Sequence, residues 1–342
     1  MSTEESGGVP WRSEPTVGQE AMPEAAAMAG QEISRRATAA AETSRAPGEP
    51  SSSCGCENCG DRRTQSEEFV YALGKLDVRY PSIGFEREFQ QRSAQLRTDA
   101  TSPRGVRLRH VLESNGHLAR RMCYLLMIGG TPAYVIAPAG SYMFPEVMNA
   151  VAGVGQEDTW CLIIGRRGSI NSPGSCGGIV APVVVCDQLY AFSGADWYHS
   201  LEDRLEPVFA AKRVTRKDFG PMALELFSQV VQSTENLGAS DAHRAVNYLL
   251  MQHPGLFLAA AERVGKQRLD RIDTRTIHGL GLRRLVGVIA TFVDPVTGVA
   301  ERLFTRVDVT EEWPFVSDTS EGRPAPLGLL PFVDNALVGA MS

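Results

Sequence analysis

Apolar positions in this chain recur with a regular period only beyond residue 66. Phe69-Val-Tyr-Ala-Leu-Gly-Lys-Leu-Asp-Val-Arg-Tyr80 is dense in β-branched and aromatic side chains and stops at Pro81, which predicts a strand. Ser82 then stands where a helix N-cap belongs, and Phe85, Phe89 and Leu96 follow at roughly helical spacing. A second helical stretch covers residues 106–113 and is broken by Asn115-Gly116. Residues 124–128 and 133–137 predict paired strands around Gly129-Gly-Thr-Pro132, and residues 144–154 a short helix. Three short apolar runs, 159–165, 179–186 and 188–192, are bounded by Gly, Pro or Asp and predict three strands.

The pattern then turns helical. Met222, Leu226 and Val230 share one face of a helix that opens at Asp218 and ends about Gly238. Ser240 caps the next, with Ala245, Leu249 and Leu250 turned inward; His253-Pro254 stops it, and residues 256–264 form another. Residues 285–293 and 302–309 flank Asp294-Pro-Val-Thr-Gly298, whose Pro and Gly predict the turn of an antiparallel hairpin. After Thr310 the chain is rich in Pro and Gly and is expected to drape over the surface. Strands, a central helical block and strands again predict an α+β fold with mixed or antiparallel sheets, without the βαβ alternation of a doubly wound fold.

Composition sets the boundaries. Residues 1–65 hold one aromatic (Trp11), one isoleucine (Ile33) and no leucine, too little apolar surface to offset the entropy of ordering a backbone. They are read as a disordered tail, residues 66–325 as one large domain, and 326–342 as a C-terminal segment. The 342-residue chain carries a formal net charge of −6, which argues against a sequence-independent phosphate binder. Residues 1–8 show no secretory pattern, and the apolar runs 122–128 and 179–186 are too short to cross a bilayer. A soluble cytoplasmic protein follows, with neither nucleic acid nor membrane among its expected partners.

Seven cysteines divide by position. Cys54-x-Cys56-x-x-Cys59 places three thiolates within six residues, close enough for a short loop to wrap a structural zinc once a fourth ligand is supplied. Cys123, Cys161, Cys176 and Cys186 lie mostly among apolar residues and read as buried, inert thiols, because a disulfide framework is not expected without export. Gly174-Ser-Cys-Gly-Gly178 is similar to the nucleophile loop of chymotrypsin-like cysteine proteases, which makes Cys176 an alternative catalytic candidate with His117 or His110 as base. A glycine-rich turn between two strands explains the same residues on backbone grounds alone. Gly-x-Ser-x-Gly, the phosphate-binding Gly-x-x-x-x-Gly-Lys and His-Glu-x-x-His are all absent from the sequence.

Four segments stand in a recognisable order: the Phe69–Leu76 run; Gly130-Thr-Pro-Ala-Tyr-Val-Ile-Ala-Pro138; Asn236-Leu-Gly followed by Arg244-Ala-Val-Asn-Tyr248; and Phe292-Val-Asp-Pro295 with Phe304-Thr-Arg-Val-Asp-Val309. Together they resemble the C-terminal domain of unknown function of the cyanobactin maturation proteins PatA and PatG, over about residues 67–325. The resemblance implies a place in the biosynthesis of ribosomally made, modified peptides. The subtilisin-like protease that carries this domain in PatA and PatG leaves no Asp, His and Ser signatures here, so its activity is not implied. Stand-alone proteins of the crocagin pathway, thought to bind the precursor peptide and guide other enzymes, are similar as well.

The leading expectation is therefore a non-catalytic accessory protein that presents a precursor peptide to modifying enzymes of the same pathway. An extended peptide would add to a strand edge or lie in an aromatic groove walled by Tyr134, Tyr142, Trp160, Trp197 and Tyr198, with Arg166 and Arg167 meeting acidic residues. The rival is a cysteine hydrolase or cyclase using Cys176. A zinc-stabilised scaffold or homodimer is the third reading.

Overall fold

The computed structural model describes residues 68–96, 101–210, 216–231, 236–277, 282–317 and 328–332. Cys54, Cys56 and Cys59, with the N-terminal segment that holds them, lie outside the described residues.

The first half forms a closed five-stranded barrel wrapped by helices. In chain order it comprises β1 (Phe69–Arg79), α1 (Ile83–Gln95), α2 (Arg104–Ser114), α3 (Gly116–Arg121), β2 (Cys123–Ile128), β3 (Thr131–Pro138), α4 (Phe144–Ala152), β4 (Thr159–Ile170) and β5 (Pro182–Ser193). The strand order is β1-β2-β3-β5-β4; β3 and β5 run parallel and the other pairs antiparallel. Closure depends on β1 changing partner midway. Phe69 to Gly74 pair with β4, and Lys75 to Arg79 with β2. Gly74 sits at the handover, where a Cβ would stand 2.5 Å from the Met127 carbonyl oxygen. Val70, Ala72, Leu76 and Val78 join Phe85, Leu112 and Val151 in one core, while Tyr71 and Leu73 turn to a second. Burial on both faces is why this strand reads as an almost unbroken apolar run.

The second core lies between the barrel and a further sheet. Its helical layer is α5 (Gly194–Ala210), α6 (Arg216–Val231), α7 (Asp241–Gln252) and α8 (Gly255–Ala261). The sheet consists of β6 (Arg268–Ile277), β7 (Leu285–Val293), β8 (Ala300–Asp308), β9 (Phe315–Val316) and β10 (Leu330–Pro331), in the order β10-β8-β7-β6 with β9 also beside β8. Leu162 and Ile164 of the barrel, Trp197, Phe227 and Phe257 of the helices, and Ala290 and Phe292 of the sheet share this core. The α+β class and mixed sheets are as expected. No helix among the described residues is long and apolar enough to cross a membrane.

Local signals placed several element ends. Ser82 Oγ accepts from Phe85 N at 3.2 Å and Ser240 Oγ from His243 N at 3.1 Å, capping α1 and α7. Three expectations are corrected. Residues 182–186 and 188–192 belong to one strand, β5, not two, and residues 179–181 precede it: Ile164 pairs with Gln188 and Gly165 with Cys186, leaving Asp187 as the extra residue of a bulge. Helix α5 was not expected, since Pro207 interrupts its pattern, although Ser193 and Asp196 form a capping box at its start. Strand β6 was missed because charges alternate along it and a bulge at Asp270 breaks its period.

The cysteines need a fourth correction. Cys161 and Cys186 are buried free thiols, each pushed up to about 12 by burial. Cys123 and Cys176 instead form a disulfide, with Cα atoms 5.5 Å apart, that ties the β4–β5 connection to the start of β2. The chain brings these two positions together across 53 residues, a proximity invisible to spacing. Peptide mapping without reductant should recover the segments holding Cys123 and Cys176 as one species that separates on reduction. Recovery as separate peptides would refute the pairing.

Candidate functional site

The residues expected to wall a peptide site do not meet at one place. Tyr134 is 2% exposed and its hydroxyl donates to the Leu237 carbonyl at 2.9 Å. Trp197 is 3% exposed, with Phe227 at 4.4 Å and Phe257 at 5.1 Å between ring centroids. Both are core side chains. Tyr198 is half-buried against the same core. Tyr142 is exposed on the turn into α4, apart from the clefts described below. Arg167 donates to Glu68 at 2.9 Å. The enzyme alternative fares differently again: Cys176 is 1% exposed and disulfide-bonded, while His117 Nε2 lies 2.9 Å from Glu88 Oε1. The disulfide leaves no thiolate at Cys176 to attack a carbonyl.

Trp160 does line a cleft. It opens to about 740 Å³ between the barrel end and α6, with Leu73, Met127, Phe227 and Val231 in its wall. Two of its charged side chains, Lys75 and Asp158, are already engaged. Lys75 Nζ donates to the Glu157 carbonyl at 2.5 Å and stands 4.9 Å from the Trp160 ring centroid. Asp158 Oδ1 accepts from Gly194 N at 3.2 Å, at the start of α5.

Arg166 approaches a second constellation, where barrel and sheet meet. The bulge aims Asp187 at Glu312, on the β8–β9 connection, and one oxygen of each carboxyl is buried without a donor. Burial first, then the Asp187 charge, raises the Glu312 carboxyl above its ordinary range; Arg166 and Arg244 oppose that rise. Among the described residues no group of three or more His, Cys, Asp or Glu is arranged to hold a metal ion.

A further opening was not anticipated. Two clefts, about 760 and 430 Å³, adjoin through Gln229, Leu269 and Asp270. Together they run from Gln267, just ahead of β6, along that strand to Thr274, roughly 23 Å at ~3.3 Å per residue. Met222, Leu226 and Val230 of α6, the apolar row legible in the sequence, form one wall; Ala242 and Val246 of α7 form part of the other. Among the described residues β6 pairs only with β7, so its outer edge carries backbone N–H and C=O groups with no strand beside them. A trough of mixed apolar and polar lining along an open strand edge is a geometry that receives an extended chain.

Three comparisons bear on this architecture. The family model described as PatG Domain matches residues 69–280, which include the barrel, the helical layer and β6. Among solved structures, the chain is similar to one titled "PatG Domain of Unknown Function", with a TM-score of 0.57 and 19% identity; the match covers 74% of this chain and 97% of that one. At that identity the likeness speaks for the fold alone. No curated protein matches the sequence.

Proposed function

This chain belongs to the PatG domain family, and on that footing we propose that it is an accessory protein that binds a precursor peptide for the modifying enzymes of a ribosomal peptide pathway. The open β6 edge beside the trough carries the reading. A peptide added there gains main-chain hydrogen bonds along β6, while alternate side chains enter the trough beside Leu226, Val230 and Val246. Holding the substrate extended, with one end free, suits presentation to a second protein. The cysteine hydrolase reading draws no support from Cys176, whose sulfur is bonded to Cys123.

The test is a fluorescence anisotropy titration with a labelled peptide of about eight residues, alternating Gln and Val, beside a copy methylated at alternate backbone nitrogens. Saturable binding is expected, weakened roughly tenfold or more by methylation, because a methylated nitrogen cannot donate to β6. Ala242→Arg, which fills the trough, should weaken it by a similar factor. Equal affinity for the two peptides, or no saturation below millimolar concentration, would overturn the reading.

A further inference from the structure

The two faces of β6 differ in chemistry, and that difference states which peptide fits. Residues directly opposite in an antiparallel ladder share a face. Leu269, Ile272 and Thr274 oppose Phe292, Ala290 and Val288, whose side chains face the helical layer. Arg268, Arg271 and Arg275 oppose Val293, Thr291 and Gly287 and so lie on the other face, with Asp273 among them. Strand β8 extends this row, since Arg302 and Arg306 oppose Thr291 and Gly287 from the far side of β7. Five arginines on one face of three strands stand out in a chain of net charge −6.

The local acids offset only part of this. Asp273 accepts from Arg271 Nε at 2.8 Å, and Asp270 sits at the bulge and lines the trough, whose lining also includes Arg268 and Arg271 at the strand edge. Arg268 is exposed, and Arg275 stands 5.6 Å from the Phe332 ring centroid. From these observations we infer that the β6 edge selects a peptide strand with acidic residues on one face and apolar residues on the other. The inference rests on the docking reading above and deepens it. The acidic positions lie across from Arg268, Arg271 and Arg275, at cross-strand distances where opposite charges attract and like charges repel. The apolar positions fill the space beside Leu226, Val230 and Val246. Recognition of this kind depends on the two-residue period of an extended chain, which a nucleic acid does not share.

The experiment titrates the full chain with three labelled peptides of about eight residues, alternating Val with Glu, Gln or Lys. The Glu peptide is expected to bind roughly tenfold tighter than the Gln peptide and the Lys peptide weakest. In the Arg268→Glu, Arg275→Glu double variant the Glu advantage should disappear while Gln-peptide binding persists, which also shows that the variant is folded. Raising salt should erode the advantage of the Glu peptide alone. Equal binding of the Glu and Gln peptides, or an advantage that survives in the double variant, overturns the acidic preference and leaves strand docking intact. No binding by any of the three removes the docking reading itself. Competition by a single-stranded oligonucleotide as strong as by the Glu peptide assigns the surface to polyanions at large and also overturns the inference.

Discussion

Arg244→Met should lower the unfolding free energy by about 3–5 kcal/mol, a large part of the 5–15 that such a domain possesses. Arg244 is 1% exposed. Its guanidinium donates to the Val309 carbonyl at 2.8 Å, the Glu312 carbonyl at 3.3 Å and Asp241 Oδ1 at 3.4 Å, and also to the Glu311 carbonyl. One face stands 5.3 Å from the Phe69 ring centroid. Burial pulls its pKa down to about 10, which leaves the side chain charged at neutral pH. Methionine would fill most of the volume but leave the connection after β8 with carbonyls facing no donor, each costing about 1–3 kcal/mol when buried. Urea unfolding should show a lower midpoint at unchanged slope. Arg244→Lys should recover less than half of the loss, because one ammonium cannot reproduce a planar fork reaching several acceptors. A midpoint for Arg244→Met within error of the parent would show that these carbonyls do not depend on Arg244.

Gly238→Ala is the second large effect, expected at about 3 kcal/mol. Gly238 adopts φ +69°, a conformation that costs an L-residue about 1 kcal/mol. The remainder is steric: an added Cβ would stand 2.5 Å from both Ala72 Cα and the Tyr71 carbonyl oxygen. Both contacts are backbone of β1, which is paired to β4 at these two residues and buried, so neither can yield cheaply. Gly298→Ala provides the comparison. Its φ is +71° but no atom lies within 4 Å of the added Cβ, so only the conformational cost of about 1 kcal/mol should appear. Equal losses in the two variants, read from thermal or urea unfolding, would refute the close packing of Gly238 on β1.

Both positions belong to the segment Asn236-Leu-Gly followed by Arg244-Ala-Val-Asn-Tyr248, which carried much of the family resemblance. Its role in the structure is a joint. Tyr71 N donates to the Gly238 carbonyl at 2.9 Å, Asn247 Nδ2 donates to the Tyr71 carbonyl at 2.9 Å, and Asn236 Nδ2 donates to Asn247 Oδ1 at 2.6 Å. A resemblance resting on such residues reports how helix α7 is fastened to the barrel. It therefore names the family without marking a site, and the aromatic residues chosen beside it proved scattered.

What the sequence determined by itself was local. The caps at Ser82 and Ser240, the Asp294 turn, whose carboxylate accepts from Val296 N and Thr297 N, and the apolar row Met222, Leu226, Val230 all depend on residues within a few positions of one another. The α+β class followed from their order along the chain. The tertiary structure alone decided which residues meet across long separations: Cys123 with Cys176, Asp187 with Glu312, the two halves of β1 with different partners. It also decided the candidate site. Strand β6 carries charge on one face and a bulge in its period, so no apolar rhythm announces it. Its open edge and the trough beside it exist only because β7 pairs with one side while α6 and α7 pack across from the other. Periodicity records what a segment buries, and a binding edge is defined by what the rest of the fold leaves uncovered.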